Sequence, residues 1–469
     1  MELLGDPLRL AMAFRTEYRV IEIGSIRVHA CVPDHINDRH AASIPCGCSS
    51  LLGPGPALGP GPALGSGPAL GSGPGAGPGP VSLGDGKALS CLSRPEFSQG
   101  PDVQDDSSSL IPMRPANSPN AFDLRRVGSH PDYWYALAWS DELRPGKTLA
   151  RRFAGEPIVL YRGKGGRVFA LEDRCAHRQV PLHLGVVCDD QIKCHYHGWL
   201  YDGSGKCVEI PYLGKERLPN GVRAYPACEV DGLIFVFPGD VALAEARKPK
   251  SLGLSQRKDY KTRRLNREVA CHYTFMHENL FDMNHQFMHR KQMGSIKARC
   301  IGRKHGDDWA QVEYTFSRTE GKPSMGEQVI VDLVRKRGEA GKKDFSDHMR
   351  IRTDYPTQNL RVWVGRDIQE TQDPVLDVWL NYTPLDAEQR TNRTYGYLSV
   401  KKPPIPGLIH VVWPFVTWFT ERIFAEDKEI VEFEQAAYDA QGSDWNNEVF
   451  PAIRDLRAVL ARCGKPITP

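Results

Sequence analysis

At 469 residues the chain has the length for two or three domains and ample core. Its 60 basic and 57 acidic side chains nearly cancel, leaving +3, so no global field marks it as a binder of nucleic acid or of a membrane surface. Twelve cysteines are too sparse here for a disulfide scaffold, and no run of about 18 apolar residues exists to span a bilayer.

Residues 1–112 are expected to be a disordered extension, whose natural start could be Met113. Within it Gly and Pro fill 19 of the 28 positions 53–80, and Gly-Pro-Ala-Leu-Gly-(Pro/Ser) recurs three times from Gly55 to Ser72. Proline withholds ladder donors and glycine is costly to order, so no core forms there. The apolar stretch from Leu8 to Phe14 is interrupted by Arg9 and lacks a small-residue cleavage site, which argues against a signal peptide.

Order is expected from about Ala121. The aromatic-rich run Tyr133–Trp139 leads into β-type runs at Leu149–Phe153, Pro157–Tyr161, Val168–Leu171, Val208–Ile210 and Gly232–Phe237, with a turn at Gly163–Gly166. Short strands with glycine turns predict a small all-β domain over residues 121–245. Between its strands lie Cys175-Ala-His177 and Cys194-His195-Tyr196-His197-Gly198-Trp199, sixteen residues apart. Each pair places one thiolate and one imidazole on a loop. Two such loops suit a 2Fe–2S cluster of the Rieske kind, two thiolates on one iron and two imidazoles on the other, with a raised potential. A structural zinc also accepts two Cys and two His, but zinc motifs usually group Cys with Cys and His with His. Cys188 and Cys207 do not fit the spacing and read as buried or free thiols. Thiolate ligands need a reducing setting, hence a cytoplasmic expectation.

Composition changes near Lys248-Pro249-Lys250, and residues 246–469 form the second expected domain. A helix is predicted from about Val269 through His289, then strands at Val312–Ser317, Val329–Val334, Asp347–Tyr355, Leu360–Val364, Val375–Tyr382 and Thr394–Val400. An amphipathic helix is predicted over Ile423–Gln441. Upstream of it, the apolar stretch 408–419 is broken by Pro414. The fold class is therefore α+β: an all-β domain, then an antiparallel sheet of helix-grip type wrapped by helices. His285 and His289, four apart, would project from one helix face and could share an ion. Two imidazoles and a carboxylate make the facial triad of non-haem Fe(II) oxygenases, whereas two ordinary core or solvated histidines are the bland reading.

Cys175, His177, Cys194 and His197, followed by Asn279-x-x-Asp282-x-x-His285, resemble the α subunit of the Rieske non-haem iron oxygenases over about residues 130–445. The plan is that of the branch of vanillate O-demethylase and dicamba monooxygenase. This resemblance implies iron on His285, His289 and an aspartate of the late helix. There Phe424-Ala-Glu426-Asp427-Lys-Glu429-Ile-Val-Glu432 resembles the family segment and selects Asp427. Glu426 or Glu429 would instead favour the dipole of the first helical turn. The resemblance also implies that Asp282 links the two centres, from His197 to His285 across a subunit boundary in a homotrimer, with Asn279 beside it. One departure stands out: that branch usually has four residues between its iron histidines, and here there are three, Gln286-Phe287-Met288. Either the helix continues further than usual or the second ligand is displaced.

No flavin or nicotinamide fingerprint occurs, since Gly163-Lys-Gly-Gly lies in a turn, so a separate ferredoxin or flavin/iron-sulfur reductase is the expected partner. The expected activity is hydroxylation or oxidative demethylation of an apolar, aromatic substrate. Phe281, Phe287, Trp363, Trp379, Trp413 and Trp418 are expected pocket residues. Arg335-Lys336-Arg337 and Lys342-Lys343 read as solvated loop charge or a docking patch. The rival class is a Rieske electron carrier with a non-catalytic hydrophobe-binding domain.

Overall fold

The computed structural model describes residues 122–213, 221–320, 347–364 and 373–467. The expectations for the Gly/Pro-rich extension, the strand Val329–Val334 and the basic loop at 335–343 lie outside these residues.

The first part is all-β, as expected. One antiparallel sheet runs Ala224–Tyr225, Val168–Glu172, Glu156–Arg162, Thr148–Phe153, and a second runs Ala227–Val230, Leu233–Val236, Tyr135–Trp139. The fully buried runs Ile158–Tyr161 and Tyr135–Trp139 explain why these stretches read as strands: both faces are covered. A third, small sheet of Val186–Cys188, Gln191–Lys193, Leu200–Tyr201 and Cys207–Glu209 carries the second Cys/His loop. The hairpin tip at Ala154-Gly155 reaches the second domain, where the two backbone N–H groups donate to Pro384 O and Leu385 O at 2.9 Å each. Gly155 has φ +82°, and a Cβ there would meet the Ala387 backbone nitrogen at 2.9 Å, so only glycine fits.

Among the described residues, the second part is built on a seven-stranded antiparallel sheet. Its strands are β1 (Tyr260–Val269), β2 (Ser295–His305), β3 (Trp309–Glu320), β4 (Asp347–Asp354), β5 (Thr357–Trp363), β6 (Leu376–Pro384) and β7 (Asn392–Lys401), in the order β1-β7-β6-β5-β4-β3-β2. Its core gathers Leu265, Phe281, Tyr314, Ile351, Leu380 and Tyr382 under the helices. Each such side chain, fully buried, contributes about 1.5–3 kcal/mol. The helices are α1 (Tyr273–Phe281), α2 (Arg290–Met293), α3 (Leu408–Gln441) and α4 (Pro451–Cys463).

Two expectations require correction. The stretch expected as one helix from Val269 to His289 is a strand end, α1 and a 3-10 turn over Met283–Phe287, and α2 begins only at Arg290. The break falls at Asp282, whose backbone is extended (φ −97°, ψ 97°) and whose carboxylate accepts from Asn284 N at 2.8 Å, capping the new turn. The late helix starts at Leu408, not Ile423, and runs straight through Pro414, which costs one intrahelical donor. Strands β1 and β2 and helix α4 escaped the pattern reading.

The long helix is held at fixed height over the sheet by polar contacts. Arg263 Nη2 donates to Thr420 Oγ1 at 2.8 Å, and Arg263 and Arg267 both pair with Glu421. Farther along, Ala270 N donates to Glu432 Oε1 at 2.9 Å and His272 N to Gln435 Oε1 at 2.8 Å. The buried face of α3 carries Ile409, Val416, Thr420, Val431 and Gln435, and at about 100° per residue Asp427 lies on that same face. The two parts are joined by Ala136 N to Asn381 Oδ1 (2.9 Å), Thr383 Oγ1 to Ala136 O (2.8 Å) and Tyr395 Oη to Leu137 O (2.5 Å).

Candidate metal centres

The two Cys/His loops of the first domain face each other. Cys175 and Cys194 are buried, at 2% and 3% exposure, while the imidazoles of His177 and His197 lie at the tip with ring centroids 4.6 Å apart. Backbone bonds shape each loop: Cys175 N donates to Val180 O at 2.9 Å and Cys194 N to Trp199 O at 2.8 Å. Gly198 turns the second loop at φ +74°, with Pro211 Cγ only 3.1 Å from where a Cβ would stand. Trp199 stacks on His177 at 4.6 Å, nearly parallel. Burial pushes the Cys194 thiol up, and neighbouring Cys175 adds to the shift. His197 Nδ1 is buried with no hydrogen-bond partner. Two neighbouring buried sulfurs and an orphaned imidazole nitrogen suit a bound iron–sulfur cluster, which would satisfy all of them. The eight described cysteines are free thiols, Cys207 buried and Cys188 partly so.

Sequence reading missed Tyr201. Its hydroxyl lies 3.1 Å from Cys175 Sγ and accepts from Ala176 N at 3.1 Å, so its own proton is left for the sulfur.

In the second domain, ligand atoms of His285, His289 and Asp427 lie within 4.8 Å of one another. His289 Nε2 is 3.2 Å and His285 Nε2 3.7 Å from Asp427 Oδ1. The two rings meet edge to face at 5.2 Å between centroids. The shortened spacing is therefore accommodated by an irregular backbone: His285 sits in the 3-10 turn and His289 caps α2 in place of sharing one α-helical face. Asp427 Oδ1 is buried with the Nε2 atoms of both histidines turned toward it, and nitrogen and oxygen donors converging in this way fit a divalent iron. Burial holds the His285 imidazole below its ordinary range, only partly offset by Asp427. Burial also pushes His289 down, but Asp427 and Glu426 outweigh it and hold that group above its ordinary range.

Glu426 does not cap a helix end as expected, because α3 begins far upstream. It lies 2.8 Å from His289 Nδ1 instead. Asp282 sits at the break after α1, with its carboxylate bonded to Asn284 N and Nδ2. Asn279 lines a small cavity beside Asp427.

That cavity, about 40 Å³, is lined chiefly by Leu265, Val269, Met276, Leu280, Leu380 and Phe424, with Arg267 at its wall. The six aromatics expected there lie elsewhere. Phe281 is core and Phe287 is 65% exposed; Trp363 is buried beneath Arg350; Trp379 packs on Tyr397; Trp413 underlies Lys261 and Trp418 faces outward. Aromatic size gives no address, and none of the six lines the cavity beside Asp427.

Residues 133–226 match the Rieske [2Fe-2S] domain and residues 269–452 match the vanillate O-demethylase oxygenase C-terminal domain. The chain is 30% identical over 353 residues to the 4beta-methylsterol monooxygenase of Methylococcus capsulatus, covering 72% of this chain and 89% of that protein. It is 38% identical over 159 residues to the oxygenase component of dicamba O-demethylase from Stenotrophomonas maltophilia, 34% of this chain and 47% of that one. Among solved structures, dicamba monooxygenase bound to dicamba superposes with a TM-score of 0.56 at 25% identity, covering 71% of this chain and 96% of that one. The same enzyme with non-heme iron and dicamba gives 0.52 at 25%, covering 71% of this chain and 97% of that one.

Proposed function

The chain belongs to the Rieske non-haem iron oxygenases, and on that premise we propose how its residues divide the work. It is an oxygenase that uses a Rieske 2Fe–2S cluster and a mononuclear iron. Cys175 and Cys194 hold one cluster iron and His177 and His197 the other. His285, His289 and Asp427 would hold the mononuclear iron, two imidazoles and a carboxylate being a donor set that suits the ferrous ion. Bound together, the two centres supply stored electrons and an oxygen-binding metal. Asp282 joins them by accepting from His197 of a neighbouring copy and from His285, in a homotrimer.

Electrons come from a separate NAD(P)H-dependent reductase or ferredoxin. The substrate is apolar, because the aliphatic walls of β1, β6, α1 and Phe424 surround the approach to Asp427. Hydroxylation and oxidative demethylation both suit relatives named as a methylsterol monooxygenase and a dicamba O-demethylase. A cytoplasmic location goes with thiolate ligation, and among the described residues no helix is long and apolar enough to cross a membrane.

The observation that carries this reading is the convergence of two imidazoles and a carboxylate next to an apolar cavity. A Rieske electron carrier with a hydrophobe-binding module has no use for that convergence. Iron analysis separates the two: three irons per chain are expected, and two would favour the carrier. His285→Ala is expected to lose the third iron and turnover while keeping the cluster's visible spectrum. Unchanged turnover would overturn the assignment.

A further inference from the structure

His285 and His289 enter the proposed iron site on different terms. His285 has its Nδ1 buried and unpartnered. His289, 3% exposed, has its Nδ1 2.8 Å from Glu426 Oε2, while Gln292 Nε2 donates to the other oxygen of that carboxylate at 2.6 Å. The backbone at His289 (φ −85°, ψ 18°) lies between regular conformations, so no helix face aims this ring. Its direction has to come from a side-chain anchor.

We propose that Glu426 is a positioning residue of the iron site, fixing His289 as the tautomer with its proton on Nδ1 and its Nε2 lone pair turned toward Asp427. The proposal rests on the reading of His285, His289 and Asp427 as iron ligands. A neutral imidazole carries one N–H, and a carboxylate acceptor at Nδ1 commits that proton there. The charge of the acceptor also makes Nε2 a stronger donor to a metal. Glu426 and Asp427 are adjacent on α3, so one turn of one helix supplies a ligand and aims another. Gln292, three residues after His289, holds the far oxygen of the carboxylate so that it cannot swing away.

The test uses the full chain with its cluster in place. The mononuclear site is stripped with a chelator and titrated with Co(II), whose visible bands report coordination. Glu426→Ala is expected to weaken Co(II) binding by about 10–100-fold, with the cluster spectrum unchanged. Glu426→Gln, whose amide oxygen still accepts from Nδ1, is expected to recover part of the loss. In the Co(II) form the shifted proton signal of the His289 ring N–H should exchange with solvent far faster in Glu426→Ala, which a merely structural role would not produce. Asp427→Ala is the control for the ligand reading. If it binds Co(II) as well as the unaltered chain, that reading and the inference both fall. If it abolishes binding while Glu426→Ala binds normally, only the inference falls. A loss in Glu426→Ala as complete as in Asp427→Ala, with no recovery in Glu426→Gln, would make Glu426 a ligand and overturn the positioning role.

Discussion

Replacing Tyr201 by Phe removes a single oxygen from a fully buried ring. The hydroxyl accepts the Ala176 N–H, so its remaining valence points a proton at Cys175 Sγ, 3.1 Å away. A donor to a cluster thiolate stabilises the reduced, more negative state more than the oxidised one. A net hydrogen bond is worth about 1 kcal/mol, more when the acceptor is charged, and a one-electron couple shifts by 59 mV per tenfold change in equilibrium. Tyr201→Phe is therefore expected to lower the cluster potential by on the order of 50 mV. The ring keeps its packing against the strand, so cluster content should hold. The assay is a spectroelectrochemical titration of the intact chain, read by visible absorption and by the spin signal of the reduced cluster. An unchanged or higher potential at full cluster content would refute the reasoning.

Asp282→Asn is expected to leave cluster reduction by a donor at its normal rate while turnover falls on the order of 10–100-fold, since the amide no longer offers two anionic acceptors. Equal turnover in a steady-state oxygen-consumption assay would sink the proposed link. Burial pushes the Glu434 carboxyl up from 4.5 to about 7, against the pull of Arg125. The folded chain thus keeps a proton that the unfolded chain has released. Stability from this group is fully present below about 4.5 and is lost as pH rises through about 7, up to a ceiling of roughly 3 kcal/mol. Glu434→Gln should melt close to the unaltered chain near about pH 5 and higher than it near about pH 8, and a gap that shrinks with pH would count against this. Stripping the mononuclear iron is expected to lower the melting temperature by a few degrees, because a ligand held at 100 times its Kd stabilises by about 2.7 kcal/mol. A calorimetric scan before and after chelation checks it, and identical midpoints would show that His285, His289 and Asp427 do not share the ion.

The cluster loops were legible because chemistry fixes residue identity there: only Cys and His at that spacing bring sulfur and nitrogen to two facing tips. Strands β6 and β7 were legible for a different reason. Their buried runs through Val378, Leu380, Tyr382, Tyr395 and Leu398 leave an apolar signature. Edge strands leave none. β1 reads Lys261-Thr-Arg-Arg264 because its outward side chains pair with α3 and with Asp141, and β2 alternates half-buried and exposed residues along the opposite edge. Helical periodicity could not see that Asp282 would cap a fresh turn, since a capping carboxylate and an ordinary helical aspartate look alike in sequence. The same blindness misplaced Glu426. Assigned to a first helical turn, it had a bland electrostatic role. Once α3 is found to begin at Leu408, Glu426 and Asp427 stand mid-helix, where the dipole offers an acid nothing, and both carboxylates face histidines. Acidic groups in such a place raise the cost of folding unless something positive answers them. Here His289 answers in part, and a divalent ion completes the account.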